Sequence, residues 1–153
     1  MSNKKIFIIE DDADLLYGLE SEFSADNFET ATSYGDEEIS ELLNNIRTFK
    51  PDFIIIDLIL PKTDGFDIIK KIKADEEISQ EQIFVFTDLS EEDSRIRSLD
   101  IGADYIFFKN DFDTYEFAEK VKKIILNREK IKASSVEDEV EIDEDDDSGI
   151  VFA

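Results

Sequence analysis

The stretch Phe53-Ile54-Ile55-Ile56-Asp57-Leu58-Ile59-Leu60-Pro61-Lys62-Thr63-Asp64-Gly65 decides the fold. Its four leading apolar residues lack the alternation of a half-solvated strand. They match a strand covered on both faces, as in the middle of a parallel sheet. Pro61 and the Asp64-Gly65 pair then turn the chain. Asp57 stands at the carboxyl end of that strand, where open α/β sheets gather their chemistry. A carboxylate there is costly unless something pairs with it or uses it.

Outward from this strand, apolar periods of two kinds alternate. Strands are predicted over 5–10, 28–32, 52–57, 82–87 and 104–108. Helices are predicted over 13–24, 36–48, 65–74, 91–101 and 114–132. Five such βα units imply a doubly wound (βα)5, flavodoxin-like α/β fold: a five-stranded parallel sheet, in the order 2-1-3-4-5, with helices on both faces. The folded domain is expected over 1–132. Residues 133–153 read as an acidic tail, expected to stay solvated and disordered, with a short apolar end at 148–153.

The 153 residues suffice for one domain with a real core, and 41% of them are hydrophobic, with thirteen Phe. The net charge is −23, which argues against a nucleic-acid partner. Nine acids and no bases follow Lys132, leaving about −14 on residues 1–132. Absent Cys removes disulfides and thiolate metal sites, and absent His removes imidazole bases and ligands. No run is long and apolar enough to cross a bilayer, and no signal peptide is evident, so the cytoplasm is the expected compartment.

The predicted strand ends carry polar groups: Glu10-Asp11-Asp12 after the first, Asp57 on the third, Thr87 on the fourth and Lys109 after the fifth. The fold would bring these ends to one edge. Acids from two neighbouring strands make an oxygen-only site suited to a hard dication, Mg2+ above all. A lysine ammonium and a threonine hydroxyl opposite it suit a phosphoryl group. Asp57 between them is the natural nucleophile, since carboxylates form acyl phosphates.

In this set the chain resembles the response-regulator receiver domains of two-component signalling, over about residues 4–130. The acid cluster, the 57–65 stretch, Thr87 and the Gly102-Ala103-Asp104…Lys109 segment stand in family order. The resemblance implies Asp57 as phospho-acceptor, with Thr87 and Lys109 on the phosphoryl oxygens. It implies Asp11 as a direct Mg2+ ligand, Glu10 acting through a metal-bound water, and the Ile59 carbonyl completing the protein ligands. It implies a donor, a phospho-histidine on a sensor histidine kinase or phosphotransfer protein. It also implies a downstream protein target. The chain would then catalyse only its own phosphoryl acceptance and hydrolysis. Output is expected through protein contacts or the tail, and a homodimer is compatible with this reading.

Three positions depart from the family pattern. Asn110 replaces a proline after Lys109, so a trans bond, or a strained cis one, and a reshaped loop are expected. Asp88 replaces a small residue and is expected to point to solvent. Ile106 stands where an aromatic ring is usual, with Tyr105 one position off and so on the opposite face. These departures motivate the alternative function of a phosphorylation-independent interaction module. Simpler roles also exist: Asp11 or Asp12 as a helix cap, Asp57 as a turn acid. An Asp-nucleophile phosphatase would need a second acid where Ile59 stands, and flavin binding would need a Ser/Thr/Gly-rich loop after the first strand.

Overall fold

The computed structural model describes residues 4–89, 97–133 and 151–152. Five parallel strands form its centre: β1 (Lys5–Ile9), β2 (Glu29–Ser33), β3 (Phe53–Ile56), β4 (Gln82–Thr87) and β5 (Tyr105–Phe108). They run in the expected order, β2-β1-β3-β4-β5. A sixth strand, β6 (Val151–Phe152), adds antiparallel to β5 at the sheet edge. These two residues fall in the stretch expected to be a solvated tail, and they pair with the sheet instead. Residues 134–150 of that tail lie outside the described residues.

Among the described residues, four long helices flank the sheet: α1 (Ala13–Ala25), α2 (Ile39–Phe49), α3 (Gly65–Ala74) and α4 (Thr114–Ala133). Residues 97–100 are helical, and the remainder of the helix expected over 91–101 lies largely outside the described residues. On one face, α2 and α3 place Leu42, Ile46, Ile68 and Ile72 against Ile54, Ile56 and Ile83. On the other, α1 and α4 place Leu16, Leu19, Phe117 and Val121 against Ile8, Ile55, Phe84 and Phe86. Adjacent residues of β3 feed opposite cores, which is why its sequence shows no polar alternation. Aromatic packing binds α4 to the sheet. Phe86 and Phe117 stack with centroids 3.9 Å apart, and Tyr105 stacks on Phe84 at 4.9 Å.

Two boundaries differ from expectation for local reasons. α2 begins at Ile39 rather than at 36, because Ser33 Oγ accepts from Gly35 N–H and donates to Glu37, building a turn first. β3 ends at Ile56, one residue early. Asp57 N–H still bonds Ile9 O, yet its Oδ1 accepts from Ile59 N–H and bends the chain. Gly65 then lets α3 start close to that bend. A Cβ there would lie 2.6 Å from Leu58 Cα and 2.7 Å from Asp57 O, so only glycine fits.

Candidate functional site

The register of the sheet assembles the site. Ile9 pairs with Ser33 on one side and with Ile56 on the other, so the next residues, Glu10 and Asp57, leave the sheet side by side. Val85 is opposite Ile56, and β4 runs on to Thr87. Thr87 is opposite Phe108, and Lys109 follows, its N–H donating to Thr87 O at 2.8 Å. The expected four strand ends therefore share one edge.

Lys109 Nζ donates to Asp57 Oδ2 at 2.8 Å and lies 3.0 Å from Glu10 Oε1. Glu10 and Asp57 are 2% and 4% exposed, so both ion pairs are shielded from solvent. Glu10, Asp11 and Asp57 each offer a carboxylate oxygen, and all three oxygens lie within 4.8 Å of one another. That oxygen-only set fits a hard dication in size and chemistry. Burial, then the neighbouring Asp57 charge, pushes the Glu10 carboxyl up to about 7 against the pull of Lys109. Burial disfavours the Lys109 ammonium, but the hydrogen bond to Asp57 and the charges of Asp57 and Glu10 together raise its pKa.

Asp12 is set apart from the acid group. Its N–H donates to Glu10 Oε2, and its Oδ1 accepts from Leu15 N–H as the N-cap of α1. Two adjacent acids thus divide their work, Asp12 capping and Asp11 joining Glu10 and Asp57. Thr87 is fully buried, and its Oγ1 accepts from Leu89 N–H at 3.3 Å. Ile59, half exposed at 48%, meets Asp57 through its N–H.

The three departures resolve as follows. The Lys109–Asn110 bond is trans. Asp111 N–H closes a turn onto Phe108 O, and Asp113 and Glu116 form a reciprocal capping pair that starts α4. Asp88 is exposed. Ile106 is buried in the α2–α3 core, while Tyr105 faces the α1–α4 core and accepts from Arg128 through its hydroxyl.

Sequence reasoning missed two contacts. The Lys109–Glu10 pair joins groups separated by two intervening strands, and no local spacing signals it. Arg97 lies 3.8 Å from the Phe66 ring centroid and 3.7 Å from Asp64, the N-cap of α3. A lone surface arginine carries no such signal in sequence.

Comparison with known proteins places this geometry. A model of the response regulator receiver domain matches residues 6–122. The chain is 32% identical over 135 residues to the alkaline phosphatase synthesis transcriptional regulatory protein PhoP of Bacillus subtilis, covering 88% of this chain and 53% of that protein. It is 28% identical to the transcriptional regulatory protein PrrA of Mycobacterium tuberculosis, covering 90% of this chain and 56% of that one. The chain thus spans about half the length of these relatives. In fold it is similar to the chemotaxis response regulator CheY4 of Vibrio cholerae, with TM-score 0.70 at 16% identity, covering 80% of this chain and 99% of that one. A CheY-like receiver domain protein of Methanospirillum hungatei gives TM-score 0.71 at 22% identity, covering 84% and 98%. Such domains are signalling modules rather than turnover enzymes, bind Mg2+ at an acidic pocket and interact with histidine kinases or phosphotransfer proteins. With its match extending over most of the sequence, the chain belongs to the response regulator receiver domain family.

Proposed function

We propose that Asp57 accepts a phosphoryl group from a phospho-histidine of a sensor histidine kinase or phosphotransfer protein, and that this switches a protein-interaction surface. The observation that carries the reading is Lys109 Nζ, fixed 2.8 Å from Asp57 Oδ2 beside the acid group. An Asp57 oxygen attacks phosphorus, the P–N bond breaks, and its electron pair leaves with the imidazole. Lys109 then holds a phosphoryl oxygen, and the Thr87 hydroxyl donates to another. Asp11, Asp57 and the Ile59 carbonyl would hold Mg2+, with Glu10 acting through a water. When bound, the ion offsets charge on the acids and on the incoming phosphoryl. The moving surface comprises the 91–101 segment, β5 and α4. The compartment proposed with this reading is the cytoplasm; among the described residues no helix is long and apolar enough to cross a membrane.

Incubation with Mg2+ and a small acyl phosphate, followed by intact mass, tests the reading. One added phosphoryl is expected, and none on Asp57→Asn. A modified Asp57→Asn protein, or an unmodified parent, would remove Asp57 as acceptor.

A further inference from the structure

Without β6, β5 would be an open sheet edge. Its four residues, Tyr105-Ile106-Phe107-Phe108, are all buried and all favour strands. An apolar edge of this kind invites pairing with any extended chain, so folded proteins cover or blunt it. One hydrogen bond fixes which peptide groups point outward. Lys109 N–H, one residue past the strand, donates to Thr87 O on β4. Peptide groups alternate along a strand, so those of Phe107 and Tyr105 also face β4, and those of Ile106 and Phe108 face away from it, towards β6. Tyr105 stands opposite Phe152, and Ile106 opposite Val151. Ile106 and Val151 are therefore the pair that exchanges both N–H···O bonds, and Tyr105 and Phe152 the pair that exchanges none.

We propose that the outer edge of β5 is a docking site for an extended apolar peptide segment, and that its resident occupant is Val151–Phe152 of the same chain, held as a tethered, displaceable cap. Among the described residues the ladder is two residues long, too short to persist without a covalent link. The link is the 17 residues 134–150. A covalent link of this length supplies an effective concentration on the order of millimolar, so a competing strand displaces β6 only by binding the bare edge more tightly than about 1 mM. Charge selects the occupant. Nine acids lie between Lys132 and Val151, and the whole chain carries −23. A second copy would bring the same charge to the edge, whereas β6 is already attached. Ile150-Val151-Phe152 is also the one unbroken apolar triplet after Lys132, since Val140 and Ile142 stand singly among acids. The proposal is independent of phosphoryl chemistry at Asp57.

The test is hydrogen exchange read by NMR on the full chain and on Val151→Pro. Proline has no N–H, so the substitution removes the donor to Ile106 O. The expected result is at least about tenfold faster exchange at the Ile106 amide, the fold-change of a lost edge partner. The central amides of Ile54 and Ile55 should be unaffected. Added peptide Ser-Gly-Ile-Val-Phe-Ala, at about millimolar concentration, should slow Ile106 again, and a scrambled peptide should not. Unchanged Ile106 exchange in Val151→Pro would overturn the proposal. So would parental protection that rises with protein concentration, which would assign the edge to a second copy. Equal protection by the scrambled peptide would overturn the docking site itself.

Discussion

Lys109 is one cation shared by two buried acids. Replacing it by Met keeps the stem and deletes the charge, leaving Glu10 and Asp57 to face each other uncompensated. A loss of about 3 kcal/mol is expected, near the lower end for a broken buried pair, read from urea unfolding. Added Mg2+ should recover part of it, and a variant as stable as the parent would show that the pair is idle. Glu81 supplies a pH dependence away from the site. Burial first, then the charge of Asp52, pushes its carboxyl up to about 7. The native state thus holds this proton more tightly than the unfolded chain. The associated stability is fully present below the ordinary Glu range and is lost as pH rises through about 7. Glu81→Gln should therefore gain stability at pH 8 and gain none at pH 4. The gain should stay under about 1 kcal/mol, because the side chain is partly solvated. Paired unfolding curves at the two pH values check the sign.

At the scale of elements, Gly65 and Arg97 each join α3 to something else. Gly65→Ala drives a Cβ into Leu58 Cα and Asp57 O, which are backbone atoms that cannot rotate away. A cost of about 1–3 kcal/mol is expected, together with slower phosphoryl acceptance, because the displaced loop carries Asp57. Normal rates in a destabilised variant would separate packing from function. Arg97 ties the 97–100 turn to Phe66 and Asp64. Arg97→Ala should cost about 0.5–1 kcal/mol and increase exchange of the 97–100 amides. The β3 run and the strand-end acids were legible in sequence because burial on both faces and one-edge convergence follow from short-range pattern plus topology. β6 was not legible. Val151 and Phe152 follow a dense acidic run that reads as solvated, and their partner is Tyr105-Ile106, distant in sequence. The early start expected for α2 failed for a smaller reason, the side-chain turn at Ser33, Gly35 and Glu37. As bare residues Asp11 and Asp12 are equal candidates to cap α1; only the family resemblance separates them in sequence, and in three dimensions it is Asp12 that caps.

For the whole molecule, the charge of −23 sets a standing self-repulsion that folding concentrates. Raising the ionic strength should therefore raise the unfolding midpoint, because screening relieves the compact state more than the expanded one. A midpoint insensitive to salt would mean that local pairs, such as Lys4–Glu129 and Lys122–Asp26, already offset the repulsion. The two cores also differ in kind: the α1–α4 side is built on stacked rings. That side contains Tyr105, the one buried tyrosine of four, in a chain without tryptophan. Tyr17, Tyr34 and Tyr115 are open to solvent. The protein thus carries its own optical gauge. Phenol fluorescence that resists a soluble quencher comes from a single ring at the sheet rim, so its loss registers disturbance there without any attached dye.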